Sequence, residues 1–564
     1  MFQTTILVKY CSSELFEIFR GTNIGILTLK SADCASLASQ ILHTLKNLTK
    51  LVLWGTYSGR CTLQLPDILQ CISLQEVECS AEWLCNLLIS LSSFDHYVEC
   101  ELWDVVLQPC EFSCGDDSKT HISDLRLEML SFDMSNMTIF VKNGSVELFE
   151  TLRDTDIGTL NLFTADCASL ASKILYTLKK LKKLILWGTY SERCTLQLSA
   201  TLQCISLHKV ECSAEWLCSL LIALSSLDHS VQCELWDVVL QPCEFSCGDD
   251  STHISDLLLE MLSFDMSNMT IVVENCSVEL FEILRDTNIG TLNLFTADCV
   301  SLASKILYTP KKLKKLILWG TYSERCTLQL PATLQCISLD KVECSAEWLC
   351  SLLIELSSLD QSVECELWDV VLQPCEDECG GDYQTHVSDL RSEMVSLDMS
   401  QTTILVKNGS SELFEIFRGT NIGILTLKSA DCASLASQFL HTLKNLTKLV
   451  LWGTYSGRCT LQLPDTLQCI SLQEVECSAE WLCSLLIALS SLDHSVKCKL
   501  CDVVLQPCQD ASGDDSHVHV SDLRFEILSC DMSLIEIYLN NGSVKLFEIC
   551  RGTNIGILKL KTAV

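Results

Sequence analysis

Proline and glycine are scarce in this chain, 8 and 22 among 564 residues, so neither a disordered low-complexity tract nor a collagen-like repeat fits it. Positive charge is scarce too. Lysine and arginine number 39 against 72 aspartates and glutamates, a formal net charge of −33, and such a surface repels phosphate backbones. No nucleic-acid partner is expected. No apolar run reaches the ~18–20 residues that cross a bilayer, so membrane insertion is not expected either. Met1-Phe2-Gln3 leads straight into repeat sequence matching Met399-Ser400-Gln401, with no secretory leader, which favours a cytoplasmic protein over an extracellular one. The motifs of common catalysts are missing: there is no G-x-x-x-x-G-K-[ST], no G-x-S-x-G, no H-E-x-x-H, and no G-x-G-x-x-G after a strand. Spacing singles out no catalytic pair among the 72 acids, so neither an enzyme activity nor a cofactor is expected.

Apolar residues, by contrast, make up 48% of the chain, enough for an ordered core, and cysteine is abundant at 36. Cys71, Cys79, Cys85 and Cys100 fall inside segments that read as strands and helices rather than in loops. Such thiols serve as small buried apolar groups in an intracellular chain, and as a disulfide framework in a secreted one. Sequons at Asn47, Asn136, Asn143, Asn268, Asn275, Asn408, Asn445 and Asn541 would matter only in the second case. The longest basic cluster, Lys179–Leu184 with its copy at Lys311–Leu316, sits at an expected helix end, where cations suit the helix dipole.

The sequence repeats itself. Leu-Phe-Glu recurs at Leu15, Leu148, Leu280, Leu413 and Leu546, at spacings of 133, 132, 133 and 133 residues. A fixed period marks an array rather than one globule. The expected units are 1–147, 148–279, 280–412 and 413–545, followed by the start of a fifth at 546–564. Val564 stops where the first copy continues Ser31-Ala32-Asp33-Cys34. A fragment of a longer chain is expected, with uncapped ends through which copies could associate.

Inside a unit, strand patterns alternate with amphipathic helices. Leu48–Trp54 runs L-x-x-L-x-L, and Leu69–Leu74 keeps that cadence with isoleucine in the second place. Ile26–Leu29, Val98–Leu102 and Thr138–Val141 read as further strands. Helices are expected over Ser12–Arg20 (burying Leu15, Phe16 and Phe19, closed by Gly21), Asp33–Leu45 (Leu37, Ala38, Ile41, Leu42, Leu45) and Ser80–Leu91 (Trp83, Leu84, Leu87, Leu88, Leu91). Asp33 and Ser80 are the expected N-caps. Strand anchors at Val141, Leu162, Leu186, Leu207 and Leu235 lie 21, 24, 21 and 28 residues apart, with 38 more to Val273.

These modules average about 26–27 residues, within the ~20–29 of leucine-rich repeats, whose L-x-x-L-x-L-x-x-N/C signature shows its cysteine in Leu160–Cys167. The chain resembles a leucine-rich repeat protein, similar to the repeat regions of NOD-like immune receptors and of ribonuclease inhibitor. The resemblance implies an α/β solenoid, with parallel strands on the concave face and helices on the convex face. Two departures stand out: module lengths are uneven, and Pro109–Ser123 reads as a loop. That loop either interrupts the solenoid once per unit or separates small α/β domains.

Period-2 alternation places the residues between the core leucines on the concave side. Thr28, Lys30, Val52, Ser73 and Gln75 fall there, and so do the binding candidates Trp54, Glu101, Trp103, Trp187, Glu234, Trp236, Trp319, Glu366, Trp368 and Trp452. The tryptophans either form an interface or pack laterally between modules. The fourth copy replaces the pair with Lys499 and Cys501. Cys110, Cys114 and His121, repeated as Cys243, Cys247 and His253, could supply zinc ligands, although their spacing is unusual and the fourth copy lacks the second cysteine. The expected function is a non-catalytic protein-recognition or scaffold array, and the resemblance implies the sensor region of an innate-immune receptor. The alternatives are a secreted, disulfide-linked adhesion array and a Cys/His zinc protein.

Overall fold

The computed structural model describes residues 4–10, 12–108, 127–241, 259, 261–304, 306–323, 325–373, 392–506, 527–540 and 549–561. The chain divides into two compact units, Met1–Ile289 and Gly290–Val564. In the first, the strands are β1 (Thr4–Val8), β2 (Ile24–Leu29), β3 (Lys50–Tyr57), β4 (Cys71–Cys79), β5 (Val98–Trp103), β6 (Val106–Leu107), β7 (Met137–Lys142), β8 (Thr159–Leu162), β9 (Lys183–Tyr190), β10 (Cys204–Cys212), β11 (Val231–Trp236), β12 (Val239–Leu240) and β13 (Met269–Glu274). They pair in parallel, each with the next along the chain, while the short β6 and β12 extend the rows beside the ends of β4 and β10. The second unit repeats the plan with β14 (Thr291–Leu294), β15 (Lys315–Tyr322), β16 (Cys336–Cys344), β17 (Glu364–Trp368), β18 (Val371–Leu372), β19 (Thr403–Lys407), β20 (Ile424–Leu427), β21 (Lys448–Tyr455), β22 (Cys469–Cys477), β23 (Val496–Cys501), β24 (Val504–Leu505), β25 (Ile535–Asn540) and β26 (Ile557–Lys561). Each unit is thus an open parallel sheet built in sequence order, with helices between strands: an α/β solenoid.

The anchors expected from sequence are register partners. Val141 faces Leu162, Leu162 faces Leu186, Leu186 faces Leu207, Leu207 faces Leu235 and Leu235 faces Val273. All six side chains are 0% exposed. The segment from Pro109 to Ser123 lies outside the described residues, yet the ladder runs past it, since β5 pairs with β7 over six residues. The sheet is therefore not interrupted at that loop, and the loop does not separate small domains there, contrary to both expectations.

Helix boundaries follow their caps. Ser80 accepts a hydrogen bond from the Trp83 N–H at 3.2 Å and starts the helix Ala81–Ser92, which buries Trp83, Leu84, Leu87, Leu88 and Leu91 as expected. The helix assigned to Asp33–Leu45 instead spans Ala32–Leu42, because the Ser31 hydroxyl takes the Cys34 N–H and Asp33 falls in the first turn. Leu37 points outward, contrary to expectation, and Cys34 and Ala35 share the buried face with Ala38, Ile41 and Leu42. In the first helix, Ser13–Phe19, only Phe16 is fully buried. Leu15 and Phe19 stay half-exposed. The second copy, with β5 and its helix before it, buries Leu148, Phe149 and Leu152.

Cysteine behaves as a core residue. Cys71, Cys79, Cys85 and Cys100 are buried, and no disulfide links the described cysteines. Cys167, at the signature position, sits in the first turn of the helix Ala165–Leu175, where its sulfur accepts the Gly144 N–H from the preceding module at 3.2 Å. Cys432 does the same for Gly409 at 3.4 Å. A small, polarizable side chain fits this buried spot and still satisfies a backbone donor.

Candidate functional site

In-register parallel strands hold equivalent residues ~4.8 Å apart, close to the separation of stacked aromatic rings. Aromatics at equivalent places on the open strand face can therefore stack along the sheet. The first unit shows the result. Trp103 lies 5.0 Å from Phe163, Phe163 5.5 Å from Trp187, Trp187 5.0 Å from His208 and His208 6.1 Å from Trp236. Lys142 caps this row over Trp103 at 5.3 Å, and Lys30 lies 3.1 Å from the Trp54 ring. In the second unit Phe295 stacks on Trp319 at 4.9 Å, with Lys407 over Trp368 at 4.8 Å and Lys428 over Trp452 at 3.4 Å.

A β-bulge follows directly on His208 in the row. β10 places two residues, His208 and Lys209, opposite Trp187, and Lys209 takes φ +48 to let the strand resume at Val210. Glu76, Lys341 and Glu474 hold the same left-handed conformation in the other copies. On the other side of the bulge, Gly188 has φ +111, and an added Cβ would lie 3.2 Å from the Ala165 nitrogen. Two residues on, Tyr190 stacks on Trp216 at 4.3 Å while its hydroxyl donates to the Trp187 carbonyl at 3.1 Å. Strand end, helix start and aromatic row are thereby tied together.

Beside the aromatics runs a row of ion pairs, each reaching across an intervening strand. Lys50 donates to Glu101 at 2.8 Å, Lys183 to Glu234 at 3.1 Å and Lys315 to Glu366 at 3.0 Å. The three carboxylates are only 17%, 13% and 16% exposed. Burial pushes the Glu101 carboxyl up, but hydrogen bonds from Lys50 and Ser73 and the charge of Lys50 outweigh it and hold the group below its usual range. Glu234 is held low in the same way by Ser206 and Lys183 against burial. Trp236 donates its indole N–H to Glu234 at 3.3 Å, joining the two rows.

Every sequence-derived binding candidate therefore sits on the strand face: Trp54, Trp103, Trp187, Trp236, Trp319, Trp368 and Trp452 half-exposed, and Glu101, Glu234 and Glu366 in ion pairs. The two readings of the tryptophans meet, because the rings pack laterally and do so on the open face. Phe163, Phe295 and His208 hold the positions of Lys30 and Gln75, which alternation already places on this face, but that their rings stack on the tryptophans is visible only once register is known. The lysine partners were missed because the pairs join residues 51 apart, a separation visible only once register is known. The zinc candidates Cys110, Cys114, His121, Cys243, Cys247 and His253 lie outside the described residues.

A different set could approach a metal. Ligand atoms of Cys71, Glu99 and Glu101, and of Cys336, Glu364 and Glu366, lie within 4.8 Å of one another. Gln232 breaks the set in the second copy, Lys497 and Lys499 break it in the fourth, and Lys50 already occupies Glu101 in the first. Burial first, then Glu101, pushes the Cys71 thiol up to about 12, which leaves it protonated at neutral pH. Such a thiol is a poor nucleophile. Compared with models of known protein families and with curated protein sequences, the chain matches none.

Proposed function

We propose that this chain is a non-catalytic, intracellular recognition array of leucine-rich-repeat type whose strand face binds a protein partner. The aromatic row of Trp103, Phe163, Trp187, His208 and Trp236 carries the reading, since large rings concentrate binding energy at protein interfaces. Six indole N–H groups, those of Trp54, Trp103, Trp187, Trp319, Trp368 and Trp452, are buried without an acceptor. The row also differs between copies, with Gln75, His208, Asp340 and Gln473 at one equivalent position, as suits a surface tuned to a ligand. The likeness to NOD-like receptor repeats makes a sensor region of an innate-immune protein the specific form of the proposal.

The test compares proteins retained from a cell extract by the immobilised chain and by a Trp187→Ala/Trp236→Ala variant whose circular dichroism matches the parent. Selective loss of at least one retained protein is expected. An identical retained set with intact folding would remove the strand face from the proposal.

A further inference from the structure

The fourth repeat inverts the charge of the strand face. Lys499 stands where the other copies have Glu101, Glu234 and Glu366, and Lys497 stands where they have Glu99, Gln232 and Glu364. Lys448 occupies the position of the lysine that pairs with those glutamates. Register sets Lys448 opposite Cys469 and Cys469 opposite Lys497, with Lys499 two residues along the same strand. Neighbouring strands are ~4.8 Å apart, so three ammonium stems surround one cysteine. Among the described residues no carboxylate lies within ion-pair distance of any of the three. Glu536, the nearest acid along the row, instead accepts the Tyr538 hydroxyl at 2.8 Å.

These residues line a cleft of about 500 Å³, which Thr447 and Ser495 also border. Burial raises the Cys469 thiol, and the charges of Lys499, Lys448 and Lys497 pull it back. Three lysines against one glutamate leave a local formal charge of +2 in a chain of −33. Like charges gathered in one cleft repel, and a bound anion would relieve that repulsion. A planar carboxylate offers two oxygens on one edge. A tetrahedral phosphate offers acceptors in several directions, matching three ammonium groups that approach from the two strands flanking Cys469.

We propose that the cleft around Lys448, Lys497 and Lys499 is an oxyanion site that takes a phosphate group, free or as a monoester. The site does not depend on whether a protein docks elsewhere on the face, and its test uses small anions only. Isothermal titration of the full chain with inorganic phosphate, O-phosphoserine and acetate at matched ionic strength reads it. Saturable one-to-one binding of phosphate or phosphoserine, at least tenfold tighter than acetate, is expected. The tighter of the two phosphates identifies the source as a free ion or a pendant ester. Lys499→Glu, which rebuilds the ion pair of the other three copies, is expected to weaken binding at least tenfold while keeping the melting temperature. Should that variant misfold, Lys497→Gln carries the residue of the second copy and is expected to weaken binding as well. No saturable phosphate binding, equal binding of acetate, or binding unchanged by substitution would overturn the proposal.

Discussion

His208 shows how a single residue takes its chemistry from its neighbours. Its ring lies between Trp187 and Trp236, and its Nε2 is 2.8 Å from the Ser206 hydroxyl. Burial lowers its pKa, and Lys183 lowers it further, against the opposing pull of Glu234 and Asp237. A histidine that holds its proton less firmly folded than unfolded contributes stability above its ordinary pKa of ~6.5 and loses it as the pH falls from there toward the folded pKa. Tryptophan fluorescence of the native chain is therefore expected to change as the pH falls below that value. His208→Gln, the residue found at Gln75 and Gln473, should flatten the change; a profile identical to that of the parent would place the titrating group elsewhere. The candidate tryptophans were legible from alternation, and so was the face of the His208 position, whose first-copy equivalent is Gln75, but the stacking of the histidine between two indoles was not. Stacking depends on which strands pair and in what register.

At the scale of elements, each copy ends its longest strand pair in the same device: a glycine at φ near +112, a tyrosine two residues later and a capped helix beyond. Gly188→Ala would force a side chain into a backbone region that L-residues rarely adopt and against the Ala165 nitrogen. Denaturant unfolding is expected to show a loss of about 1–3 kcal/mol, the usual scale of such strain. A loss under 0.5 kcal/mol would mean that the turn relaxes freely. The strand cadence and helix stripes could be read from the sequence because period 2 and period 3.6 are local properties. The helix start at Ser31 could not, because Ser31 and Asp33 are both good caps and only the observed Cys34 N–H bond separates them.

At the scale of the whole molecule, stability in a solenoid is approximately a sum of neighbour terms. Leu235 is fully buried and pairs with Leu207 on one side and Val273 on the other. Leu235→Ala is expected to cost about 2–5 kcal/mol locally, as other buried leucines do. Hydrogen exchange should speed up in β10, β11 and β13 and fade with distance, leaving β2 and β3 in the same unit near their parent rates. Uniform acceleration across that unit would show that it unfolds as one cooperative body.

The sequence by itself determined the array, the strand and helix segments and the face each alternate residue takes, because repetition and side-chain periodicity act over a few bonds. Only the tertiary structure decided which residues meet. Lys183 reaches Glu234 across 51 residues, aromatic rings stack at the spacing of the strands, and three lysines gather round Cys469. Each of these depends on the register between strands, and register is set by the packing of whole modules rather than by any stretch of chain read alone.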